Sequence, residues 1–266
     1  MKKWCLFLSV SLCLCLLASC GAAGSDPAPG GAPPEAPPSG GEVSPSEAST
    51  VCRIVSGAAE GHLLLAELDG PGVYRLAWES EDLRDGALVE VGYNGNIQET
   101  FPAQLGDVSS VTALSWGFDD RCRLYLDVLA DLWAVDEGLN ADVTQVGVDL
   151  SQTSLPESER AAVAWAFGEA HGALPIQGTY EELVQQGYIT GEPLEGTDAL
   201  FYSWADGCLF SIAEQPMEGS YSLLPVTFDA EKWRSGLGAY FLLDCTALQS
   251  ADGSWGDYTV GSEAIA

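Results

Sequence analysis

Short hydrophobic runs alternate with turn residues throughout residues 51–117. The runs occupy residues 52–57, 62–68, 72–78, 87–93 and 110–116. In the fourth run, Val89 and Val91 fall on alternate positions, as expected for a strand with one buried face. Asn94-Gly95 follows that run and predicts a β-hairpin. Short strands at this spacing predict a small all-β barrel or sandwich domain over this region.

Residues 118–266 combine helical and strand periodicity. Apolar positions at helical spacing predict three helices, within residues 121–138, 153–172 and 179–187. We expect Ser154 to cap the second helix and Thr179 to cap the third. Strand-like segments occupy residues 143–151, 199–214, 222–230 and 238–248. The pattern predicts an α+β domain in which an antiparallel sheet is covered on one face by about three helices.

The first fifty residues carry a pattern of a different kind. Lys2 and Lys3 precede an apolar run that ends at Ala18 and is too short for a membrane-spanning helix. We therefore assign residues 1–19 to a secretory signal peptide. Residues 20–50 are rich in Pro, Gly, Ala and Ser and contain no aromatic residue, so they predict a disordered linker.

The segment Leu17-Ala18-Ser19-Cys20 resembles the lipobox of bacterial lipoproteins. The resemblance implies that Cys20 receives a diacylglyceryl group and becomes the first residue after cleavage. Two acyl chains provide stable membrane attachment, which a single chain does not. We therefore expect the protein to be lipid-anchored at the cell membrane and to face outward. An ordinary signal peptide and an uncleaved membrane anchor are the alternatives.

Two further segments resemble proteins of unknown function. Residues 85–114 contain Tyr93-Asn94-Gly95 followed by ETFPAQ, and they are similar to a small barrel domain of secreted and lipid-anchored Gram-positive proteins. That resemblance implies an OB-like β-barrel of five strands and no established activity. The pattern KWRSGLGAYF-x-x-DCTA, residues 232–247, resembles clostridial-type lipoproteins and implies no chemistry.

The charge of the chain excludes some classes of partner. The sequence has 10 basic and 39 acidic residues and a net charge of −29. Loss of both signal-peptide lysines leaves eight basic residues and a net charge of −31. This charge repels phosphate, so we expect no nucleic-acid partner. Asp119-Asp120 and Asp136-Glu137 lack the spacing of a calcium loop, and no metal or cofactor is predicted.

Four cysteines remain once those of the signal peptide and Cys20 are set aside. They are Cys52, Cys122, Cys208 and Cys245. Their wide spacing, with no CxxC pair, is not typical of a zinc cluster. Cys208 and Cys245 lie on the apolar sides of predicted strands, so either both are buried free thiols or they form a Cys208–Cys245 disulfide.

No motif in the sequence predicts a catalytic residue, since GxSxG, SxxK, HExxH and P-loop patterns are all absent. We expect structural roles for His62, at a strand start, and His171, at a helix carboxyl end where the dipole favours a cation. Lys232 and Arg234 flank Trp233. Either salt bridges pin this loop with Trp233 in the core, or the three residues form a small site for an anion or carboxylate.

Taken together, these patterns predict an outward-facing, lipid-anchored surface protein. We favour a binding or interaction module whose partner is an envelope protein or a glycan, because no catalytic motif is present. The alternative is an extracellular hydrolase that acts on cell-wall or glycan polymers.

Overall fold

A computed structural model describes residues 47–216 and 225–266 of the chain. These residues belong to one compact unit, Ser44–Ala266. The predicted signal peptide, Cys20 and nearly all of the predicted linker lie outside the described residues. Within the described ranges, no helix has both the length and the apolar character needed to span a membrane.

The first sheet contains seven strands and is open. The strands are β1 (Ala48–Ser56), β2 (His62–Glu67), β3 (Val73–Ala77), β4 (Leu88–Tyr93), β5 (Ile97–Gln98), β6 (Ala103–Leu105) and β7 (Ser110–Ala113). They are ordered β5-β6-β3-β2-β1-β4-β7, and all neighbours are antiparallel except the parallel pair β3 and β6. Because the edge strands β5 and β7 do not pair with each other, the predicted OB-like barrel is wrong.

The Asn94-Gly95 turn forms, but the predicted hairpin does not. Gly95 has a φ of 83°, and Asn94 Oδ1 accepts a hydrogen bond of 3.0 Å from the Asn96 amide. The strand before the turn, β4, pairs with β1 and β7, whereas β5 after the turn pairs with β6. Local turn chemistry therefore reverses the chain without selecting the strand partner.

The described part of the chain contains three α-helices, as predicted. They are α1 (Arg121–Ala134), α2 (Glu157–Ala170) and α3 (Tyr180–Gln185), and a 3-10 helix covers Glu137–Asn140. Thr179 caps α3 as expected, through a reciprocal capping box with Glu182. The predicted N-cap of α2 is wrong, because Pro156 rather than Ser154 occupies that position and Ser154 makes no capping hydrogen bond.

The second sheet contains eight strands and is mixed. The strands are β8 (Gln145–Gln152), β9 (Leu174–Gln177), β10 (Thr190–Pro193), β11 (Leu200–Ser203), β12 (Gly207–Glu214), β13 (Pro225–Ser235), β14 (Gly238–Leu248) and β15 (Ser262–Ile265). Pairs β12–β8 and β8–β9 are parallel, so the predicted purely antiparallel sheet is wrong. The helix α2 supplies the crossover that parallel pairing of β8 and β9 requires. The mainly β, α+β class is nevertheless confirmed.

A continuous hydrophobic core joins the two sheets through α1 and α2. Val55 and Leu64 of the first sheet, Leu129 of α1, Phe167 of α2 and Phe210 of the second sheet belong to the same buried cluster. The predicted boundary between residues 117 and 118 therefore lies between two sheets that share one core.

A buried ion pair fixes the contact between α2 and the first sheet. Arg53 Nε donates to Glu159 Oε1 over 2.6 Å, and its Nη1 donates to the carbonyls of Gly86 and Gly117, each over 2.9 Å. Removing one partner of a buried pair costs about 3–5 kcal/mol, because the remaining charge is uncompensated. The pair therefore links α2 to β1 through a contact that is costly to break.

Candidate functional site

The parallel strands β12, β8 and β9 end at one edge of the second sheet. In open, mostly parallel α/β sheets, ligands bind beyond the carboxyl ends of the strands, and these three strands are the parallel part of this mixed sheet. A cleft of about 440 Å³ opens there, beside the ends of β8 and β12. We call it the Arg121 cleft; its lining includes Arg121, Gln152, Ser154, Glu214, Gln215 and Trp255.

Arg121, the first residue of α1, supplies the positive charge of the cleft. Its Nη1 lies 3.6 Å from Glu214 Oε1 and also donates to the Ser154 hydroxyl. Its guanidinium carbon lies 4.5 Å from the centre of the Trp255 ring, a cation–π arrangement. The Arg121 Nε is buried and has no hydrogen-bond partner among the described residues. The guanidinium is thus held in place by Ser154, Glu214 and Trp255.

Glu214, the last residue of β12, supplies the negative charge. Its Oε1 accepts hydrogen bonds from the Ser154 hydroxyl, over 2.9 Å, and from the Tyr125 hydroxyl, over 2.5 Å. Burial raises the pKa of Tyr125 above its ordinary value, and the bond to Glu214 raises it further. The Tyr125 hydroxyl therefore remains a donor, and Arg121, Ser154 and Glu214 form one connected polar group.

The acidic pair Asp119-Asp120 positions one wall of the cleft. Asp119 Oδ1 accepts from the Trp255 indole N–H over 2.7 Å, and Asp120 Oδ1 accepts from the Trp255 amide over 2.6 Å. These carboxylates are therefore occupied by protein donors. Within residues 47–216 and 225–266, no group of three or more His, Cys, Asp or Glu residues could hold a metal ion.

Lys232 does not form the predicted anion site. Its side chain is fully buried, and Nζ donates to the carbonyls of Trp133, Val135 and Asp136 over 3.3, 2.7 and 3.2 Å. An ammonium group has three donors, so all of them are occupied. Burial lowers the pKa of Lys232, and nearby Cys208 and acidic groups oppose that shift. The ammonium satisfies carbonyls at the end of α1 and cannot reach a ligand.

Trp233 and Arg234 are also held by contacts within the protein. Arg234 donates to the carbonyls of Leu139, Ala141 and Ala205, over 2.9, 2.6 and 2.7 Å. Trp233 is half-buried on the opposite face of β13 from Lys232, with its ring centre 5.0 Å from that of Tyr180. The loop-pinning alternative also fails as stated, because residues 232–234 lie within strand β13 and Trp233 is only half-buried. Backbone carbonyls, rather than the expected salt bridges, hold Lys232 and Arg234.

All four cysteines of the described residues are free and buried. Cys208 lies on β12 and Cys245 on β14, with β13 between them. Two strand spacings separate their Cα atoms by at least ~9 Å, beyond the ~7 Å that a disulfide allows. The Cys208–Cys245 disulfide is therefore wrong and the free-thiol alternative is confirmed. Burial raises the pKa of Cys208 to about 12 and that of Cys245 to about 11, so neither is a ready nucleophile.

Both histidines lie at the ends of secondary-structure elements. His62 begins β2 and is exposed. His171 follows α2, as predicted, and its ring stacks on Trp133 with ring centres 4.1 Å apart. Burial lowers the pKa of His171, so this environment favours the neutral ring rather than the expected cation.

The residues of the Arg121 cleft carry no sequence motif that identifies them as a site. The position of Ser154 predicts a helix cap instead, and neither Arg121 nor Glu214 belongs to a recognisable motif. Glu214 ends a strand and Ser154 follows another, but their approach depends on parallel pairing of β8 and β12. A periodicity pattern does not distinguish parallel from antiparallel neighbours, so no local signal marked this site.

Comparisons of the chain with protein-family models, with curated proteins and with solved structures find no match.

Proposed function

We propose that this protein is an outward-facing lipoprotein that binds a neutral glycan in the Arg121 cleft. The anchor is Cys20, and the ligand is held at the carboxyl edge of β8 and β12. The observation that carries the proposal is the connected group Arg121–Ser154–Glu214, which lines a cleft of about 440 Å³.

The chemistry of the cleft suits a ligand rich in hydroxyl groups. Arg121 donates, Glu214 accepts, and Ser154 and the Gln152 amide do both. The Gln215 amide nitrogen already donates to Asp229 and Asp244, so Gln215 offers its carbonyl oxygen as an acceptor. The opposite charges of Arg121 and Glu214 favour a ligand without net charge. A volume near 440 Å³ lies within the ~300–1,000 Å³ typical of small-ligand sites, enough for a short saccharide segment.

The overall charge supports the same ligand class. A net charge of −31 after signal removal repels polyanions such as nucleic acid or acidic polymers. Neutral glycans carry no such penalty. An envelope protein that presents a glycan is an equivalent partner for this cleft.

Binding can be tested with the full-length protein on a glycan array, followed by titration of the glycans retained. We expect Gln152→Ala, an exposed residue of the cleft, and Glu214→Gln to weaken binding by about tenfold or more, as expected for lost polar contacts. Gln185→Ala changes an exposed glutamine of α3 outside the cleft and should leave affinity unchanged. Retention of full affinity by Gln152→Ala and Glu214→Gln would contradict the proposal.

Hydrolysis is a second candidate function, favoured by one contact. The Ser154 hydroxyl donates to Glu214 Oε1 over 2.9 Å, an arrangement in which a carboxylate can accept the proton of a nucleophile. The same glycans, incubated with the protein, would then release shorter products. Ser154→Ala should abolish that release, and absence of any product from the wild-type protein would exclude hydrolysis of those glycans.

A further inference from the structure

A second cavity opens at the carboxyl ends of β8 and β9, where α2 and α3 begin. Its volume is about 310 Å³, and we call it the Arg160 pocket. The polar side chains of its lining include Asp149, Ser151, Glu157, Arg160, Gln177 and Glu182. Since its volume is at the lower end of the ~300–1,000 Å³ seen for ligand sites, it suits a small molecule.

Arg160 brings a single positive charge to this pocket and is half-buried. Within residues 47–216 and 225–266, the ion pairs are made by other arginines: Arg53, Arg75, Arg121 and Arg123. No described side chain or carbonyl accepts a hydrogen bond from the Arg160 guanidinium. A half-buried guanidinium without a protein acceptor has its planar donor set available for a carboxylate.

Carboxylates on the other walls carry the opposite charge. Asp149 Oδ1 accepts from the Ser151 amide over 2.9 Å, which leaves its second oxygen without a partner among the described residues. Glu157 lies exposed in the first turn of α2 and has no described hydrogen bond. Glu182 Oε2 accepts from the Thr179 amide over 2.8 Å within the capping box of α3, and its Oε1 has no partner among the described residues. All three carboxylates therefore have an acceptor for a ligand, and Asp149 and Glu157 are the two that take no part in helix capping.

We propose that the Arg160 pocket binds a small zwitterion with one carboxylate and one ammonium group, such as a free α-amino acid. Arg160 pairs with the ligand carboxylate, and Asp149 with Glu157 pairs with the ammonium. An anion alone would face the pocket's carboxylates, and a cation alone would leave Arg160 unpaired. A zwitterion satisfies both signs within one small volume. The site is distinct from the Arg121 cleft, so a negative result at one site leaves the proposal for the other unaffected.

Calorimetric titration of the full-length protein with each standard α-amino acid tests this site. The amino acid that binds most tightly is then compared with two analogues that each carry a single charge. Its amide lacks the carboxylate, and its deaminated acid lacks the ammonium group. We expect each single-charge analogue to bind at least about tenfold more weakly than the zwitterion, because one charge-assisted contact set is lost. Equal affinity of either analogue, or no binding of any amino acid, overturns the proposal.

Substitutions separate the two ends of the ligand. Arg160→Gln and Asp149→Asn should each weaken binding of the amino acid by about tenfold or more. Arg75→Gln is the matched control, since Arg75 forms an exposed ion pair with Glu169 outside the pocket. Thermal unfolding of each variant shows that the fold is kept. Unchanged affinity of a folded Arg160→Gln variant also overturns the proposal.

Discussion

At the scale of residues, Lys232 shows how tertiary position decides the role of a side chain. In the sequence, a lone lysine beside Trp233 and Arg234 is compatible with a ligand site. In the fold, its ammonium meets three carbonyls at the carboxyl end of α1, where a helix has unsatisfied acceptors and a favourable dipole. Lys232 is a helix-capping residue contributed by a distant strand.

We expect Lys232→Met to lower the free energy of unfolding by about 3 kcal/mol, because the buried carbonyls of Trp133, Val135 and Asp136 lose their donor. Chemical denaturation measures the change. Arg75→Met is the control; it breaks an exposed ion pair and should cost less than ~1 kcal/mol. Equal losses in the two variants would show that Lys232 has no special capping role.

At the scale of elements, α1 and α2 are joined by aromatic contacts near their carboxyl ends. His171, just after α2, stacks on Trp133 of α1 and packs edge-on to Phe167, with ring centres 4.1 and 4.9 Å apart. Both helices were predictable, since apolar residues recur at helical spacing in each. Their mutual contact was not, because periodicity identifies a buried face without identifying the element that covers it.

The same contact predicts a pH effect. Burial lowers the folded-state pKa of His171 below its unfolded value near 6.5, so the unfolded chain binds the proton more readily. Stability should therefore fall as the pH drops below about 6.5 and level off below the folded pKa. The loss should be only a few tenths of a kcal/mol, roughly, because water screens the partly exposed ring.

Denaturation midpoints at pH 7.5 and pH 5.5 measure this effect. His171→Gln should show a smaller midpoint decrease than wild type, whereas His62→Gln, at an exposed position, should match wild type. A His171→Gln variant that keeps the full pH dependence would show that His171 does not cause the effect.

At the scale of the whole molecule, the proposed anchor and the folded unit are separate features. The lipobox-like segment ends at Cys20, and the compact unit begins at Ser44. The net charge of −29, which the proposed cleavage would make −31, disfavours direct attraction to anionic lipid, so membrane attachment would rest on the acyl chains.

We expect Cys20→Ser to move most of the protein from the membrane fraction to the soluble fraction of the producing bacterial cells, because no diacylglyceryl group can be attached. Fractionation, with mass spectrometry of the amino terminus, measures the outcome. Cys15→Ser alters a cysteine of the proposed signal peptide and should leave attachment unchanged. Undiminished membrane retention of Cys20→Ser would falsify the lipid anchor.

The β-rich α+β class, the three predicted helices and the Thr179 capping box can be read from the amino-acid sequence, since each depends on residues close together in the chain. The open first sheet, the mixed second sheet and the capping of α1 by Lys232 become visible in the folded chain alone. The Arg121 cleft belongs with these, because Ser154 and Glu214 are 60 residues apart and meet through parallel pairing of β8 and β12. Local patterns specify which face of an element is buried, whereas strand partners and polar contacts at long range follow from packing the whole chain.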